Sequence, residues 1–178
     1  QEVFVSTGHN DTIVVIDRAK LEVAAEIPLR VPGLDALRGI MPVGMAYDPA
    51  ARRLYVAEGG VNALAVIDVP QRKVLGHLPT GWFPADVKLR DGYLYVANAK
   101  GQGTGPNATK DAPLPVSFMA DFRHGTVSVI PVQETAALAN HTAQVMANNG
   151  FLPATEVATP IPEAIKHVVL IIKENRTY

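Results

Sequence analysis

Short apolar runs that alternate with polar residues recur along most of the chain. One stretch, Arg53 to Gly92, contains four of them, at Leu54–Ala57, Leu64–Asp68, Lys73–Leu78 and Pro84–Leu89. β-Branched and aromatic residues at every second position, bounded by glycine or proline, are typical of short strands. This stretch therefore predicts one sheet of four antiparallel strands, and Asp91-Gly92 after it predicts a hairpin turn.

The run that follows this turn repeats the first run of the stretch. Tyr95 lies in the run Tyr93–Ala97, which matches Leu54–Ala57 with Tyr95 in the place of Tyr55. The resulting period of about 40 residues is expected for the four-stranded blade of a β-propeller and is longer than the roughly 34 residues of common helical repeats. The repeat predicts an all-β fold built from antiparallel propeller blades.

Two further copies are displaced by insertions. Ile13–Asp17 precedes its match, Leu64–Asp68, by more than one period, and we assign the extra length to an inserted loop with a helical turn at Leu29–Gly39. Thr126–Ile130 follows the same match by more than one period, which indicates a longer insertion at Lys100–Arg123. Residues 1–132 are thus predicted to form about two and a half blades, a partial propeller.

The alternation predicts ten strands that pair antiparallel in consecutive order. They are expected at Val3–Thr7, Thr12–Asp17, Glu22–Ile27, Gly44–Tyr47, Leu54–Ala57, Ala63–Asp68, Lys73–Leu78, Asp86–Leu89, Tyr93–Ala97 and Thr126–Val132.

The pattern changes period after the last of these strands. Leu138, Val145 and Met146, with His141 or Thr142, recur at helical spacing, so residues 133–150 predict a helix with Thr135 as its cap and Asn149-Gly150 at its end. Residues 151–164 are rich in proline and threonine and are expected to be a semi-rigid linker. Residues 165–178 then predict the first buried strand of an α/β domain, truncated after it begins.

Composition narrows the possible partners. The chain has 16 Lys and Arg against 17 Asp and Glu, so its net charge of −1 gives no long-range attraction for nucleic acid or anionic lipid. We expect no nucleic-acid partner and no membrane span. The chain contains no cysteine, which excludes disulfides, thiolate metal sites and a covalently attached haem.

The repeated strands resemble a known family of propellers. Phe4-Val5-Ser6, Tyr55-Val56-Ala57 and Tyr95-Val96-Ala97-Asn98 resemble the strand starts of YVTN-repeat, YncE-like propellers. The glycine-rich segment Asn98–Asn107 resembles a loop of propellers that are fused to a phosphoesterase. Pro106 follows its last glycine, so it does not lead into a helix as a phosphate-binding loop must, and we expect a surface or interdomain loop.

The last residues of the sequence contain the candidate metal ligands. Ile165–Tyr178 resembles the opening of the bacterial phosphoesterases, a family that includes acid phosphatases and phospholipases C and belongs to the alkaline phosphatase superfamily. The resemblance implies that Glu174 and Asn175 hold a divalent metal ion, Ca²⁺, Mg²⁺, Mn²⁺ or Zn²⁺, and that the hydroxyl nucleophile lies beyond Tyr178. Thr177-Tyr178 departs from the Ser-Phe commoner in phospholipases, which leaves the phosphate-ester substrate open.

Three functions remain open from the sequence. The first is a metal-dependent phosphoesterase whose remaining blades and catalytic domain lie outside this chain, a fragment that we expect to be inactive alone. The second is a non-catalytic binding module at the cell surface or in the periplasm, with Glu174-Asn175-Arg176 only a polar strand end. The third, an electron-transfer or amine-oxidising propeller, is disfavoured by the absence of cysteine and of a haem-attachment motif. We expect a periplasmic or secreted location, although no signal peptide is visible.

Other chemically capable residues are assigned structural roles. The histidines, which show no metal-binding spacing, are expected in loops or in packing; they are His9, His77, His124, His141 and His167. Asp17 and Asp68 occupy matching positions and are expected to accept backbone N–H bonds in turns. Trp82 and Phe83 are expected to anchor one blade on the next, although an exposed Trp82 would indicate binding.

Overall fold

The structure is a computed structural model that describes residues 1–101 and 125–151, together with residues 165–167 and 169. The described part contains ten strands and one α-helix. The strands are β1 (Glu2–Thr7), β2 (Thr12–Asp17), β3 (Glu22–Pro28), β4 (Pro42–Asp48), β5 (Arg53–Glu58), β6 (Ala63–Asp68), β7 (Lys73–Pro79), β8 (Pro84–Arg90), β9 (Tyr93–Asn98) and β10 (Thr126–Pro131); the helix is α1 (Leu138–Asn148).

The strands form three antiparallel sheets that follow one another along the chain. The first sheet is β1-β2-β3, the middle sheet is β4-β5-β6-β7 and the third sheet is β8-β9-β10. Every pair within a sheet joins strands that are consecutive in the chain. All ten predicted strands are confirmed, and these sheets form the blades of a partial β-propeller.

The grouping of strands into sheets corrects one prediction. The stretch Arg53 to Gly92 is a sequence repeat but not one sheet, because β5, β6 and β7 belong to the middle sheet and β8 pairs with β9. A repeat has the same period whichever strand is taken as its first. The period therefore does not show which loop leads from one sheet to the next. That crossing occurs at Thr80–Phe83, where the backbone bonds to Asn62 and Gly101 instead of continuing the ladder.

The first insertion also differs from its prediction. The connection from β3 to β4 contains two successive turns, in which Leu34 N–H donates to Val31 O and Leu37 N–H donates to Leu34 O, and no helical turn forms. This connection holds most of the extra length. The rest lies in the hairpin between β4 and β5, which is longer than the matching hairpin between β8 and β9. The second insertion, at 102–124, lies outside the described residues.

The core consists of two apolar clusters between neighbouring sheets. Alternate residues of the middle sheet point to opposite sides, so one sheet contributes to both clusters. The first cluster includes Ile13, Val15 and Ile27 packed on Leu54, Val56 and Ile67. The second includes Tyr55, Leu64 and Val66 packed on Val87, Leu94 and Val96.

Helix α1 lies against β7 at the outer edge of the middle sheet. Its predicted apolar face is confirmed, because Leu138 and Val145 are buried in the two clusters. The predicted end is confirmed by a Schellman motif: Gly150 has a φ of 67° and Phe151 N–H donates to Met146 O over 2.9 Å. The predicted cap is wrong. A 3₁₀ turn at Thr135–Ala137 precedes the helix, and Thr135 Oγ1 accepts from Arg53 instead.

Candidate functional site

Turns and connections meet at one end of the sheets, and two repeat-related side chains hold them together. Asp11 and Asn62, each at a φ of 54°, are buried or half-buried in the hairpins β1–β2 and β5–β6. Asp11 accepts the N–H groups of Gly39 and Met41 at 2.8 and 3.0 Å. Asn62 Oδ1 accepts Phe83 N–H at 2.9 Å. Each side chain thereby fixes the entry of the next sheet, a role that the sequence analysis missed.

A small niche opens among these loops. It is a hollow of about 270 Å³ lined by Met41, Gly59, Gly60, Asn62, Trp82, Phe83 and Lys100. Phe83 packs on the loop at Gly59, where an added Cβ would lie 3.4 Å from its ring, so Phe83 is the expected anchor between blades. Trp82, however, is 38% exposed. A flat indole is therefore available to a ligand.

The niche has a cationic rim. Lys100 Nζ lies 4.7 Å from the centroid of the Phe83 ring, a distance at which an ammonium group is attracted to the ring face. Within the described part of the chain, no carboxylate forms an ion pair with Lys100. The niche thus combines an apolar aromatic surface with a positive charge, a pairing that suits a ligand with a flat apolar face and an anionic group.

The middle sheet buries an ionisable pair that the sequence analysis did not find. Glu58 and His77 are both fully buried, and His77 Nδ1 lies 2.8 Å from Glu58 Oε2. His77 Nε2 lies 3.2 Å from the Arg30 carbonyl oxygen. Both ring nitrogens therefore face oxygen acceptors, which a doubly protonated imidazolium satisfies.

The surroundings decide the charge of this ring. Burial disfavours the imidazolium and acts to lower its pKa, but the charge of Glu58 and the hydrogen bonds to Glu58 and to the Arg30 carbonyl act in the opposite direction. The pKa of His77 is raised above its ordinary value. Neither side chain reaches solvent, and the contact of His77 with the Arg30 carbonyl oxygen fixes the β3–β4 connection on the sheet.

The predicted metal ligands, Glu174 and Asn175, lie outside the described residues. Among the residues that are described, no group of three or more His, Asp or Glu could hold a metal ion. His141 Nε2 contacts Gln133 Oε1 at 3.1 Å, in agreement with its packing role, and His124 lies in the part that is not described. None of the helices in the described part of the chain has the length and apolarity needed to cross a membrane.

The predicted turn aspartates are confirmed. Asp17 Oδ1 accepts the N–H groups of Ala19 and Lys20, and Asp68 Oδ1 accepts that of Gln71 at 2.7 Å. At the base of the glycine-rich loop, the buried Asn98 donates to Thr126 Oγ1 and Ser128 Oγ at 3.2 and 2.8 Å. Asp17 and Asp68 thus shape turns, and Asn98 joins β9 to β10 through side-chain hydrogen bonds.

The proteins to which this chain is similar are found among solved structures. No family model and no curated protein matches this sequence. Among solved structures, hydrazine synthase from Kuenenia stuttgartiensis is similar at 20% identity and a TM-score of 0.49, over 58% of this chain and 28% of that one. A luciferin-regenerating enzyme is similar at 19% identity and a TM-score of 0.46, over 73% and 41%.

A third similar structure is virginiamycin B lyase from Staphylococcus aureus, at 15% identity and a TM-score of 0.46, over 76% of this chain and 39% of the lyase. The chain thus spans less than half the length of each of these structures. The assignment to the β-propeller class rests on the three antiparallel sheets themselves and on the way that they pack.

Proposed function

We propose that this chain is the accessory YVTN-type propeller of a metal-dependent phosphoesterase and supplies the first metal ligands of its catalytic domain. The observation that carries the proposal is the segment Ile165–Tyr178, which resembles the opening of bacterial phosphoesterases and comes after propeller strands, one helix and a proline-rich linker sequence. Its abruptly polar end comes after an apolar strand sequence, and in α/β sheets ligands bind at the carboxyl ends of strands.

The donor set suits the proposed ion. Glu174 offers a carboxylate and Asn175 an amide oxygen, which are hard ligands preferred by Ca²⁺, Mg²⁺ and Mn²⁺ and accepted by Zn²⁺. When bound, such an ion polarises a phosphoryl oxygen. Hard cations take about six ligands, so two from this chain are too few, and the remaining ligands and the nucleophile must come from the rest of the longer protein.

The proposal is tested by phosphatase assays on the full-length protein. We expect hydrolysis of p-nitrophenyl phosphate, a monoester, or of p-nitrophenylphosphorylcholine, a diester, that stops after treatment with EDTA and returns with one of the four divalent ions. Residues 1–178 alone should show no turnover, because the proposed nucleophile lies beyond Tyr178. A full-length protein that is inactive on both esters with every ion, or equally active after the chelator, would rule out a metal-dependent phosphoesterase.

We also propose a periplasmic or secreted location, which the absence of cysteine permits but does not require. Fractionation of the source cells tests it. The protein should appear in the periplasmic or culture fraction, and its recovery with the cytosol would contradict the location.

A second candidate is favoured by the exposure of Trp82. We propose as this alternative a non-catalytic binding module that holds an anionic polysaccharide, with a sugar ring on the indole and a carboxylate at Lys100. Trp82 is the only tryptophan of the chain, so its fluorescence reports binding directly. Alginate should shift its emission and uncharged dextran should not.

The matched variant for this test is Lys100→Ala, which removes the positive charge and leaves the indole in place. It should abolish the response to alginate. Unchanged Trp82 emission with alginate in the wild-type chain would eliminate this candidate and would leave the phosphoesterase proposal untouched.

A further inference from the structure

His77 joins three other parts of the fold to β7. Its ring contacts Glu58 of β5 at 2.8 Å and the Arg30 carbonyl oxygen of the β3–β4 connection at 3.2 Å. Its backbone N–H donates to Thr142 Oγ1 of α1 over 2.9 Å. The bond to α1 involves no titratable group, whereas both contacts of the ring depend on its protons.

The contact between His77 and Arg30 needs two protons on the ring. A neutral imidazole has one N–H, and here two oxygen acceptors compete for it. The carboxylate of Glu58 is charged and closer, so it keeps that N–H on Nδ1. The lone pair of Nε2 then faces the Arg30 carbonyl oxygen, and the two atoms repel each other.

Few charged or titratable groups surround the ring. Within the described part of the chain, Glu58 is the charged group that acts on it. The guanidinium of Arg30 donates to two backbone carbonyl oxygens of its own loop region. On β6, Ala65 lies opposite His77, and the one titratable residue of α1, His141, contacts Gln133. The ring therefore responds to the pair with Glu58.

The β3–β4 connection also forms one wall of a hollow. This hollow of about 350 Å³ lies between the connection, β7 and α1, and its lining includes Pro32, Leu75 and Ala139. His77 borders the hollow, yet its side chain is only 1% exposed. A displacement of the connection at Arg30 therefore opens a path for water to the ring.

We propose that His77 is a pH-sensitive switch that holds the β3–β4 connection on β7 when its ring is doubly protonated and releases residues 30–37 when the ring loses one proton. Water then reaches Nε2 through the hollow and donates the hydrogen bond that the lone pair needs. The far end of the connection stays attached, because the Asp11 carboxylate holds Gly39 and Met41. The inference concerns the propeller and does not depend on either proposed function.

The direction of the pH response follows from the closed state. Burial acts to lower the pKa of His77, but the charge of Glu58 and the hydrogen bonds of the ring raise it above the ordinary 6.5. A released, hydrated ring titrates near about 6.5. The closed state is thus fully favoured below about pH 6.5, and opening increases about tenfold per pH unit until the pH reaches the closed-state pKa.

Limited trypsin digestion of the full-length protein tests the switch. The bond after Arg30 leads into Val31, which is fully buried, so cleavage there requires release. Its rate, divided by that of an unstructured arginine peptide in the same tube, should rise about tenfold per unit above pH 6.5 and then level off. Cleavage after Arg18, in the exposed β2–β3 turn, should keep a constant ratio.

A constant ratio at Arg30 from pH 6.5 to pH 9 would overturn the proposal. So would equal increases at Arg30 and Arg18, because unfolding of the whole propeller would then explain both.

The variant Glu58→Gln separates the pair from other causes of pH dependence. Its amide group donates to Nδ1, which lets the neutral ring keep its N–H on Nε2 and hold Arg30. Cleavage after Arg30 should therefore stay low at every pH. The exposed control Glu22→Gln should keep the wild-type rise. A wild-type rise in Glu58→Gln would contradict the switch.

If Glu58→Gln fails to fold, hydrogen exchange on the wild-type protein decides. The Leu34 amide donates to Val31 O within the connection, whereas the Gly39 amide donates to Asp11. After correction for the intrinsic rate, Leu34 should lose protection about tenfold per unit above pH 6.5, and Gly39 should not. Unchanged protection of Leu34, or an equal loss at both amides, would contradict the switch.

Discussion

At the residue scale, the buried pair of Glu58 and His77 shows how a polar contact can be built inside an apolar sheet. Glu58 shares a face with Leu54 and Val56, and His77 reaches the same face from β7. The β6 residues opposite them are Ala63 and Ala65, whose short side chains leave room for the 2.8 Å contact across β6. A buried charge needs such a partner, because desolvation alone would be costly.

The pair makes stability depend on pH. The folded pKa of His77 lies above its unfolded value of about 6.5, so the stabilisation is complete below about pH 6.5 and is lost as pH rises through the folded pKa. We expect the urea midpoint of the wild-type chain to fall between pH 6 and pH 9.

The variant Glu58→Gln should reverse this dependence. Without the carboxylate charge, burial dominates and the pKa of His77 falls below its unfolded value, so stability is lost as pH falls through about 6.5. Glu22→Gln, at an exposed site, is the control and should keep the wild-type slope. An unchanged slope in Glu58→Gln would show that this pair does not set the pH response.

Gly60 should tolerate no side chain. A Cβ there would lie 1.7 Å from the Gly39 carbonyl oxygen, so Gly60→Ala must displace the β3–β4 connection. Overpacking of this kind costs about 1–3 kcal/mol, measured as the free energy of unfolding in urea. At Gly8 the nearest atom would be 3.5 Å away, and Gly8→Ala should be nearly neutral. Equal stabilities of the two variants would contradict the tight docking at Gly60.

Some residue-scale features follow from sequence and others do not. The turn roles of Asp17, Asp68 and Asp91-Gly92 could be predicted, because these residue types favour turns by local chemistry; Asp91 and Gly92 both have positive φ, as the hairpin requires. Leu21 and Arg72 also adopt positive φ, at 56° and 53°. Neither residue type favours that conformation, so only the hairpin geometry explains it.

At the element scale, the buried face of helix α1 could be predicted from the sequence. The spacing of its apolar residues is enough to identify that face, because residues three or four positions apart lie on the same side of a helix. The sheet on which it packs could not be predicted, since β7 contributes Gly76, a residue without a strong signal. An added Cβ at Gly76 would lie 2.8 Å from Thr142 Oγ1 and 3.0 Å from Leu138 Cβ, so the glycine permits close contact with α1.

Thr142 should join the helix to the sheet through its hydroxyl group. Its Oγ1 accepts the backbone N–H of His77 at 2.9 Å and donates to Leu138 O at 2.8 Å. Thr142→Val keeps the shape but leaves a buried N–H without a partner, which costs about 1–3 kcal/mol of unfolding free energy. Thr142→Ser keeps the hydroxyl group and should cost less. If Val and Ser variants were equally stable, the hydrogen bond would contribute nothing.

At the scale of the whole molecule, the number and order of strands could be predicted, because each strand is a local pattern. Their division into sheets could not, since the repeat around Tyr55 and Tyr95 has the same period from any starting point. The proposed metal ligands, Glu174 and Asn175, follow from resemblance to a family and not from a local pattern, because a metal site joins side chains that are distant in the sequence.

The proposed role of Glu174 is that of a metal ligand in a phosphoesterase. The most direct measurement is the metal content and phosphatase turnover of full-length Glu174→Gln, with Glu22→Gln as the exposed control. Loss of a ligand charge should lower metal content and turnover together, by at least about tenfold, since even residues that only orient ligands are worth that much. Metal content and turnover equal to those of the wild type would show that Glu174 merely ends a strand.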